Sequence, residues 1–453
     1  MANSQADAAS RNWVAVVLAA GRGSRMGTSL PKVLHAVGGV SIIRRVLDSL
    51  SGAALSDVSI VRDDSGALPE ALGLIYPYVV QSSPNGTGGA LAAYLNESAP
   101  STGHLLVINA DLPLITSDFL TRLKDSHGFR PDVAVTFFTM QTSNDTNYGR
   151  ILRFKDGNVA EIVEAGDPRH ADAPAEGNAG VYALDLEWAR SAMDRLPQHE
   201  DGEYYITDLV KLAVADGRGV ETVSIDAEEA IGVNTLVDLA EAERAARRRT
   251  LEEFMLSGVT IVDPSSTYID STVTIAANTV IRPNTHITGA SVIGAGCEIG
   301  PDTHIVESVI GERCVVRGSW LDEVTLEDGV SVGPFARLRP GTHIGREAHI
   351  GSFGEIKASR IGSRTAMGHF GYVGDADVGD DVNIGAGAVT CNYDGQEKHR
   401  TVVGDGAFIG SGSLLVAPVD VGGKAYTAAG AVVTRNVAAG TTVAGVPAEY
   451  ISR

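Results

Sequence analysis

The feature that most constrains this chain is an aliphatic residue that returns every six positions through much of its second half. Three runs show it most clearly: Ile275, Ile281, Ile287, Ile293, Ile299, Ile305; then Leu326, Val332, Leu338, Ile344, Ile350, Ile356; then Val403, Ile409, Leu415, Val421, Thr427, Val433. This period fits neither an α-helix, which repeats about every 3.6 residues, nor a half-buried strand. A Gly-rich β-sandwich with chance spacing would not keep so many repeats in phase. The pattern predicts a parallel β-helix, in which three short strands per coil each add one aliphatic side chain to a central stack and the chain turns at small residues.

Charge narrows the range of partners. The 453-residue chain has a formal net charge of −20 at pH 7, and such a surface is not attracted to nucleic acid or to an anionic membrane. We therefore expect small-molecule substrates, with no nucleic acid and no membrane as a general partner. Local basic pockets for phosphates are compatible with this charge.

The cysteines and the N-terminal residues indicate a cytoplasmic protein. Cys297, Cys314 and Cys391 are odd in number and lack metal-ligand spacing, so we expect reduced thiols. The apolar run at 13–20 is too short to span a bilayer, and the polar residues 1–12 do not resemble a signal peptide.

The first half alternates strand-like and helix-like stretches. A helix is predicted over 41–50, and the strands are predicted near 14–18, 58–61, 79–80, 105–109 and 133–138. This alternation predicts a Rossmann-like parallel sheet with helices on both faces. Ligands of such sheets bind beyond the carboxyl ends of the strands, so motifs at those ends carry the most weight.

A glycine-rich loop follows the first predicted strand. Gly21, Gly23 and Gly27 would let backbone amides approach a triphosphate, and Arg25 and Lys32 add positive charge. Neither the dinucleotide fingerprint nor a P-loop is present. A plain tight turn is the alternative, but the attached Arg25 and Pro-Lys pair favour a phosphate site. The motif resembles the signature of sugar-1-phosphate nucleotidylyltransferases.

Two further motifs follow predicted strands. Gln81 with Gly86 and Thr87 would provide an amide and an open backbone for a uracil or thymine, although an Asn-Gly turn is an equal alternative. Asp111 follows the apolar strand at 105–108, where one carboxylate can hold Mg²⁺. An Asx turn before Pro113 is the alternative there.

Polar residues in the repeats stand where a structural coil does not need them. Arg339 and Lys357 each follow a repeat aliphatic and lie 18 residues apart, which is one full coil. If they stack about 4.8 Å apart, the two cations favour a bound anion such as a sugar phosphate; the alternative is two solvated side chains. His369 lies about a coil further on and is a candidate general base that Glu355 would orient. An insertion at 390–401 would leave the coil as an outward loop.

These motifs and the repeat domain occur in the order seen in the bacterial bifunctional N-acetylglucosamine-1-phosphate uridyltransferase/glucosamine-1-phosphate acetyltransferases, which the chain resembles over nearly its whole length. The resemblance implies a left-handed β-helix and a homotrimer built through it. It also implies roles in uridylyl transfer. The nucleotide would be bound by Leu18, Ala19, Ala20, Gly21, Lys32, Gln81, Gly86 and Thr87, with Arg25 and Lys32 in catalysis and Asp111 and Asn234 on Mg²⁺. The sugar phosphate would be bound by Asn234 and by Gly149, Glu164 and Asn178, which we expect to lie on loops.

For acetyl transfer the resemblance implies His369 as the base. Arg339, Lys357, Tyr372 and Asn383 would bind the acetyl acceptor, and Ala386, Asn392, Tyr393, Ser411 and Ala429 would bind acetyl-CoA. The chain departs from the family at four places: Ala110 replaces Gly before the metal Asp, 62–64 read Arg-Asp-Asp, Phe370-Gly371 replace Leu-Thr, and the stretch 443–448 resembles simpler sugar O- and N-acyltransferases.

The resulting hypothesis is a two-domain enzyme. A uridylyltransferase domain would occupy residues 1–235, a charged linker helix 236–257 and a β-helix acetyltransferase domain 258–453. Acetyl transfer to glucosamine-1-phosphate and then uridylyl transfer would give UDP-N-acetylglucosamine for peptidoglycan synthesis. Two alternatives stay open: a diverged relative that uses another sugar phosphate or nucleotide, and a nucleotidylyltransferase whose β-helix is only an assembly module.

Overall fold

The computed structural model describes residues 13–21, 23–73, 75–142 and 148–451. The chain divides into two units between Ala246 and Arg247, within a long helix. No helix in these ranges combines the length and the apolar character that crossing a bilayer requires.

The first unit contains helices and strands in alternation. Its helices are α1 (Ile42–Gly52), α2 (Ala67–Leu72), α3 (Gly86–Glu97), α4 (Ser117–Gly128), α5 (Leu186–Met193), α6 (Asp208–Ala215) and α7 (Leu236–Leu256), the last continuing into the second unit. Its strands are β1 (Trp13–Ala19), β2 (Ala36–Val37), β3 (Val40–Ser41), β4 (Val58–Arg62), β5 (Tyr78–Val80), β6 (His104–Asn109), β7 (Val133–Gln141), β8 (Arg150–Arg153), β9 (Val159–Val163), β10 (Glu176–Asp185) and β11 (Gly219–Ile225).

The central sheet of this unit has the order β11-β7-β10-β6-β1-β4-β5. Strands β6, β1, β4 and β5 are parallel, which confirms the predicted Rossmann-like sheet. The sequence did not indicate that β10 runs antiparallel to both β6 and β7 and carries the β8–β9 hairpin. Strand β10 is mostly buried, and a run of buried apolar residues does not indicate whether the strand lies parallel or antiparallel to its neighbours.

Burial explains where the helices lie. Strand β1 is buried along nearly its whole length, so both faces of the sheet need cover. Helix α1 supplies part of that cover with apolar side chains at helical spacing, among them Ile43, Val46 and Leu50, all fully buried. The carboxyl ends of β1 and β6 then lie side by side, with Leu18 opposite Asn109.

The second unit is a left-handed parallel β-helix with three sheets as its faces. The first sheet contains Thr260–Ile261, Val280–Ile281, Glu298–Ile299, Val315–Val316, Ser331–Val332, His349–Ile350, Ala366–Met367, Asn383–Ile384, Phe408–Ile409, Tyr426–Thr427, Thr442–Ala444 and the antiparallel Glu449–Tyr450. The second contains Thr267–Ile269, Thr285–Thr288, Thr303–Val306, Trp320–Asp322, Arg337–Leu338, Gly354–Lys357, Gly371–Gly374, Val389–Cys391, Leu414–Val416 and Val432–Val433. The third contains Thr274–Ile275, Val292–Ile293, Val309–Ile310, Val324–Leu326, Thr342–Ile344, Arg360–Ile361, Ala376–Val378, Thr401–Val403 and Val419–Val421.

The six-residue period sets this register. Ile281 pairs with Ile299, and Val332 pairs with Ile350, so that equivalent aliphatics of successive coils stack in the core. All four are buried. The period-six prediction is therefore confirmed.

The corners differ from the sequence expectation. Several coils turn at large or polar residues in the left-handed region, such as Asp302, Phe335 and Phe353, with φ of 52°, 63° and 60°. Small residues are thus not required at every corner, because a side chain at these positions points into solvent: Phe335 and Phe353 are each 62% exposed.

Candidate functional site

A cavity of about 500 Å³ opens at the carboxyl ends of the first unit's strands. All residues that were expected to bind the nucleotide line it, together with Arg25 and Asp111. The lining consists of Leu18, Ala19, Ala20, Gly21, Arg25, Lys32, Val33, Gln81, Pro84, Gly86, Thr87, Ala90, Asn109, Ala110, Asp111 and Glu203.

Lys32 is the centre of the polar contacts in this cavity. Its Nζ lies 2.6 Å from Asp111 Oδ2 and 3.1 Å from Asn234 Oδ1. Arg25 donates to the same Asn234 oxygen at 3.1 Å. The Lys32 and Asp111 side chains are only 13% and 17% exposed, so their ion pair is poorly screened by solvent.

Backbone hydrogen bonds hold Asn234 near Lys32. Val233 donates its N–H to the carbonyl of Asp111 at 2.9 Å. At the start of α7, the Asp238 carboxylate accepts from the backbone N–H groups of Asn234 and Thr235 at 2.9 and 2.8 Å. Asp111 and Asn234 are thereby brought together, which no spacing in the sequence indicated.

The oxygens around Lys32 suit a magnesium ion. One carboxylate oxygen and one amide oxygen contact the same ammonium, and hard oxygen donors of this kind are the ligands that Mg²⁺ prefers. Over the described part of the chain no group of three or more His, Cys, Asp or Glu side chains is placed to hold a metal. The donor set therefore fits an ion that keeps most of its coordination positions for phosphate oxygens and water.

Gln81 is fixed by its neighbours. Its Nε2 donates to Asn85 Oδ1 at 2.6 Å and to the carbonyl of Gly86 at 3.0 Å. Gly86 has a φ of +86°, and a Cβ there would lie 2.5 Å from the Tyr204 carbonyl oxygen, so the close packing of this loop requires glycine. Thr87 accepts a hydrogen bond from the Ile206 backbone N–H at 3.1 Å.

Gly149, Glu164 and Asn178 lie close together. The backbone N–H of Asn178 donates to the Gly149 carbonyl at 2.8 Å, and a Cβ on Gly149 would lie 3.5 Å from each carboxylate oxygen of Glu164. Thr207 donates its hydroxyl to Glu164 Oε1 at 2.7 Å. Burial raises the pKa of the Glu164 carboxyl above its usual value.

The expectation that Asn178 is a loop residue is wrong. It lies within strand β10, just before a register shift between Asn178 and Tyr182. Gly180, with φ of +74°, donates its N–H to Asn178 Oδ1 at 3.2 Å. The bulge lets a strand carry a polar side chain with loop-like contacts.

In the second unit, the backbone register places Arg339 beside Lys357, as the 18-residue spacing predicted. Leu338 pairs with Ile356, and the Arg339 N–H donates to the Ile356 carbonyl at 2.9 Å. Glu355 does not orient His369 as expected, because its carboxylate accepts from Arg339 Nη1 at 2.9 Å. The neighbouring Lys398 ammonium lowers the pKa of Lys357.

Tyr372 and Asn392 meet beside these cations. Asn392 Nδ2 donates to the Tyr372 hydroxyl at 3.5 Å and to the Asp375 carboxylate. A Cβ on Gly374 would lie 2.3 Å from the Tyr372 hydroxyl oxygen, so Gly374 makes the space for that ring.

The insertion is shorter than expected. Thr390 and Thr401 are buried strand residues, so the outward loop covers 392–400. Within it, Tyr393 bridges to Lys398 and donates its hydroxyl to the Gly395 carbonyl at 2.7 Å.

The remaining predicted acetyl-transfer residues lie at the surface. His369 and Asn383 are exposed, and Asn383 lies in the first sheet, whereas Tyr372 lies in the second. Ala386, Ser411 and Ala429 are half-buried or exposed and directly precede corner glycines of successive coils.

Sequence reasoning missed several residues at these sites. Asn109 and Glu203 line the nucleotide cavity, Thr207 contacts Glu164, and Lys398 lies beside Lys357. The strand-end position of Asn109 was a readable signal. Lys398 gave none, because the fold of an insertion does not follow from the repeat.

Comparison with known proteins gives concordant results. Residues 15–150 match the MobA-like NTP transferase domain. The chain is 40% identical over 427 residues to the "Bifunctional protein GlmU" of Streptococcus agalactiae serotype V, covering 93% of each chain. It is 41% identical over 435 residues to that of Streptococcus pyogenes serotype M12, covering 95% of this chain and 94% of the relative. The protein of the same name from Streptococcus thermophilus CNRZ 1066 is 39% identical over 435 residues.

Proposed function

This chain belongs to the bifunctional GlmU family, and from that membership we propose that it makes UDP-N-acetylglucosamine in two steps. It first acetylates glucosamine-1-phosphate with acetyl-CoA, and it then transfers a uridylyl group from UTP to the product. The observation that carries the proposal is the Lys32 centre: Lys32 lines the same cavity as Gln81, and its ammonium contacts both the Asp111 carboxylate and the Asn234 amide.

In the acetyl step, the amine nitrogen of glucosamine-1-phosphate attacks the thioester carbonyl of acetyl-CoA. The C–N bond forms, the C–S bond breaks, and coenzyme A leaves as its thiol. His369 takes a proton from the amine and returns it to the departing sulfur. Arg339 and Lys357 bind the acceptor's phosphate with Tyr372 and Asn383, and the Lys398 ammonium beside Lys357 adds to the positive charge there.

Acetyl-CoA lies along Ala386, Ser411 and Ala429, with Asn392 and Tyr393 on the neighbouring loop. The two residues before the corner glycines, Ala386 and Ser411, belong to consecutive coils, where the Gly412 N–H donates to the Ala386 carbonyl at 2.7 Å. An extended pantetheine arm fits such a row, because it can run parallel to the coil axis.

In the uridylyl step, a phosphate oxygen of N-acetylglucosamine-1-phosphate attacks the α-phosphorus of UTP in line. The bond to the β-phosphate breaks, and pyrophosphate leaves. Arg25 and Lys32 neutralise charge on the phosphates, the 18–21 loop and Gln81, Gly86 and Thr87 hold the nucleotide, and Gly149, Glu164 and Asn178 hold the sugar. Most of the rate enhancement then comes from positioning and charge neutralisation.

Asp111 and Asn234 would hold Mg²⁺ in this step, since their oxygens converge on one cation position. A bound magnesium ion supplies positive charge that stabilises the triphosphate and the leaving pyrophosphate.

The acetyl site also favours a homotrimer. His369 and Asn383 are exposed on one chain, and the 392–400 loop projects from the coil, so a neighbouring subunit would enclose them. Light scattering of the full chain should report three copies, and a monomer would contradict a shared acetyl site.

We assign uridylyl transfer to residues 1–235 and acetyl transfer to 258–453, with helix 236–257 between them, in a cytoplasmic protein.

A substrate panel tests the proposed function. The full-length protein is incubated with several sugar-1-phosphates and nucleoside triphosphates and with acetyl-CoA, and the products are identified by mass spectrometry. UDP-N-acetylglucosamine, formed with coenzyme A release, is the expected product. Another nucleotide sugar would indicate a diverged relative, and uridylyl transfer without coenzyme A release would leave the β-helix as an assembly module.

A further inference from the structure

Phe370 occupies an unusual place beside the proposed base. It directly follows His369 at a corner between the first and second sheets, and 60% of its surface is exposed. Its carbonyl accepts the Gly387 N–H at 2.7 Å. Its ring covers the same glycine, since a Cβ on Gly387 would lie 3.3 and 3.5 Å from two ring carbons of Phe370.

The covered glycine belongs to the row proposed for the acyl donor. Gly387 follows Ala386, and a Cβ on it would lie 3.7 Å from the Cα of Gly412 on the next coil. The Phe370 ring therefore stands at the His369 end of this row. The phenyl group contacts the residue next to Ala386 and directly follows His369, the proposed base for attack on the thioester carbonyl.

We propose that Phe370 is a specificity-determining residue for the acyl donor, whose ring closes the space beyond the thioester carbonyl and restricts the transferred group to acetyl. This inference rests on the proposed acetyl transfer. Phe370 takes no part in bond making or breaking; it limits the length of the acyl group that fits. One methylene in an apolar pocket changes discrimination between substrates by about 10- to 200-fold, so a ring in this place is sufficient to exclude propionyl.

A matched control is present one coil earlier. Phe353 is also a corner phenylalanine, 62% exposed, and its ring stacks on Phe335 with centroids 5.2 Å apart. Its ring lies against Phe335, whereas the Phe370 ring lies over Gly387, so its removal should affect corner packing without opening the acyl-donor row.

The experiment compares wild-type protein with Phe370→Ala, Phe370→Leu and Phe353→Ala. The value of kcat/KM is measured for acetyl-, propionyl- and butyryl-CoA with glucosamine-1-phosphate, and uridylyl transfer is measured on each sample to show an intact chain. We expect Phe370→Ala to raise the propionyl-to-acetyl ratio by about tenfold or more. Phe370→Leu should raise it less, and Phe353→Ala should keep the wild-type ratio.

An unchanged ratio in Phe370→Ala overturns the inference alone. If that variant transfers no acyl group, an unchanged ratio in Phe370→Leu overturns it equally. Wild-type protein that releases no coenzyme A from acetyl-CoA would overturn the proposed function itself and this inference with it.

Discussion

The two candidate sites are built in opposite ways. In the first unit, Lys32, Asp111 and Asn234 come from distant parts of the chain, and the Lys32 ammonium contacts the other two side chains at a recessed cavity that Lys32 and Asp111 line. In the second unit, Arg339 and Lys357 are one coil apart, and His369 is an exposed residue of the next coil.

The comparison shows that the side chains of the two sites are held in place by different interactions. The first site is ordered by hydrogen bonds and burial within one chain, so its charged groups interact strongly. The repeat positions the second site's backbone accurately but leaves His369 and Asn383 exposed and the Arg339 and Lys357 side chains half-buried. A surface of this kind gains desolvation only from substrates or from a neighbouring subunit.

The largest expected effect on activity is that of His369→Ala. A general base contributes about 10²- to 10⁴-fold, so kcat for acetyl transfer should fall by that order while the apparent affinity for glucosamine-1-phosphate changes little. Coenzyme A release measures it. The control is His349→Ala, which removes an exposed histidine of the preceding coil that contacts Ser331. Wild-type acetylation by His369→Ala would make this histidine structural.

Asp111→Asn should be next. Loss of the carboxylate removes a ligand of the proposed Mg²⁺, whose charge would stabilise the transition state. Removing one electrostatic contribution of this kind costs about 10²- to 10³-fold, so pyrophosphate release should fall by that factor while acetyl transfer stays near wild type. Asp63→Asn is the control, because Asp63 follows the neighbouring strand β4 but does not line the cavity. Equal loss of both activities in Asp111→Asn would indicate a folding defect.

Glu164→Gln should have a smaller effect and should separate binding from stability. Loss of a charged hydrogen-bond acceptor should raise KM for N-acetylglucosamine-1-phosphate about 10- to 100-fold. Burial raises the pKa of Glu164, so the folded state disfavours its ionised form above the usual carboxyl pKa, and the amide relieves this. The urea midpoint at pH 8 should therefore stay equal or rise; a clear fall would show that the carboxylate stabilises the fold.

Lys357→Ala should raise KM for glucosamine-1-phosphate about tenfold, because a cation that is only half-buried contributes modestly to phosphate binding. Arg339→Ala should act similarly, and both effects should shrink at high salt. Lys424→Ala, which removes a lysine from a later corner, serves as the control. Salt-independent loss would mean that these side chains act through packing.

Substitution of His127, at the opposite end of the sheet from the cavity, should leave both activities unchanged and should alter only the pH dependence of stability. Burial and the neighbouring His104 lower its pKa to about 3, with Asp185 and Arg218 also nearby. Because the unfolded pKa is about 6.5, stability is complete above that pH and is lost as the pH falls toward 3.

Wild-type protein should thus lose about 2 kcal/mol from this residue between pH 7 and pH 5. His127→Gln should lose correspondingly less and keep both activities at pH 7.5. Urea titration followed by Trp13 fluorescence in a Trp188→Phe, Trp320→Phe background measures this, since Trp13 lies 5.9 Å from His127 between ring centroids. An identical pH dependence in both proteins would contradict the pKa shift.

The repeat made the second unit readable from sequence, because each coil meets the next at a fixed spacing. Its side-chain pairs were not readable, and Glu355 contacts Arg339 rather than His369 because several partners lie within reach on the same face. In the first unit, the motifs at the carboxyl ends of the predicted strands correctly predicted the residues that line the cavity. The antiparallel β10 and the bulge at Asn178 were hidden, since local pattern does not encode which strand becomes a neighbour.

The contacts of Gln81 have a consequence for the choice of base. The Gln81 amide nitrogen donates to Asn85 Oδ1 and to the Gly86 carbonyl, so its carbonyl oxygen is the atom of the amide that is left to contact a nucleotide. In the proposed nucleotide site that oxygen can accept the N3–H of uracil, whereas cytosine would present an unprotonated N3 and leave two acceptors opposed. In the proposed site, the orientation of one amide, held by a neighbouring asparagine, would therefore favour UTP over CTP.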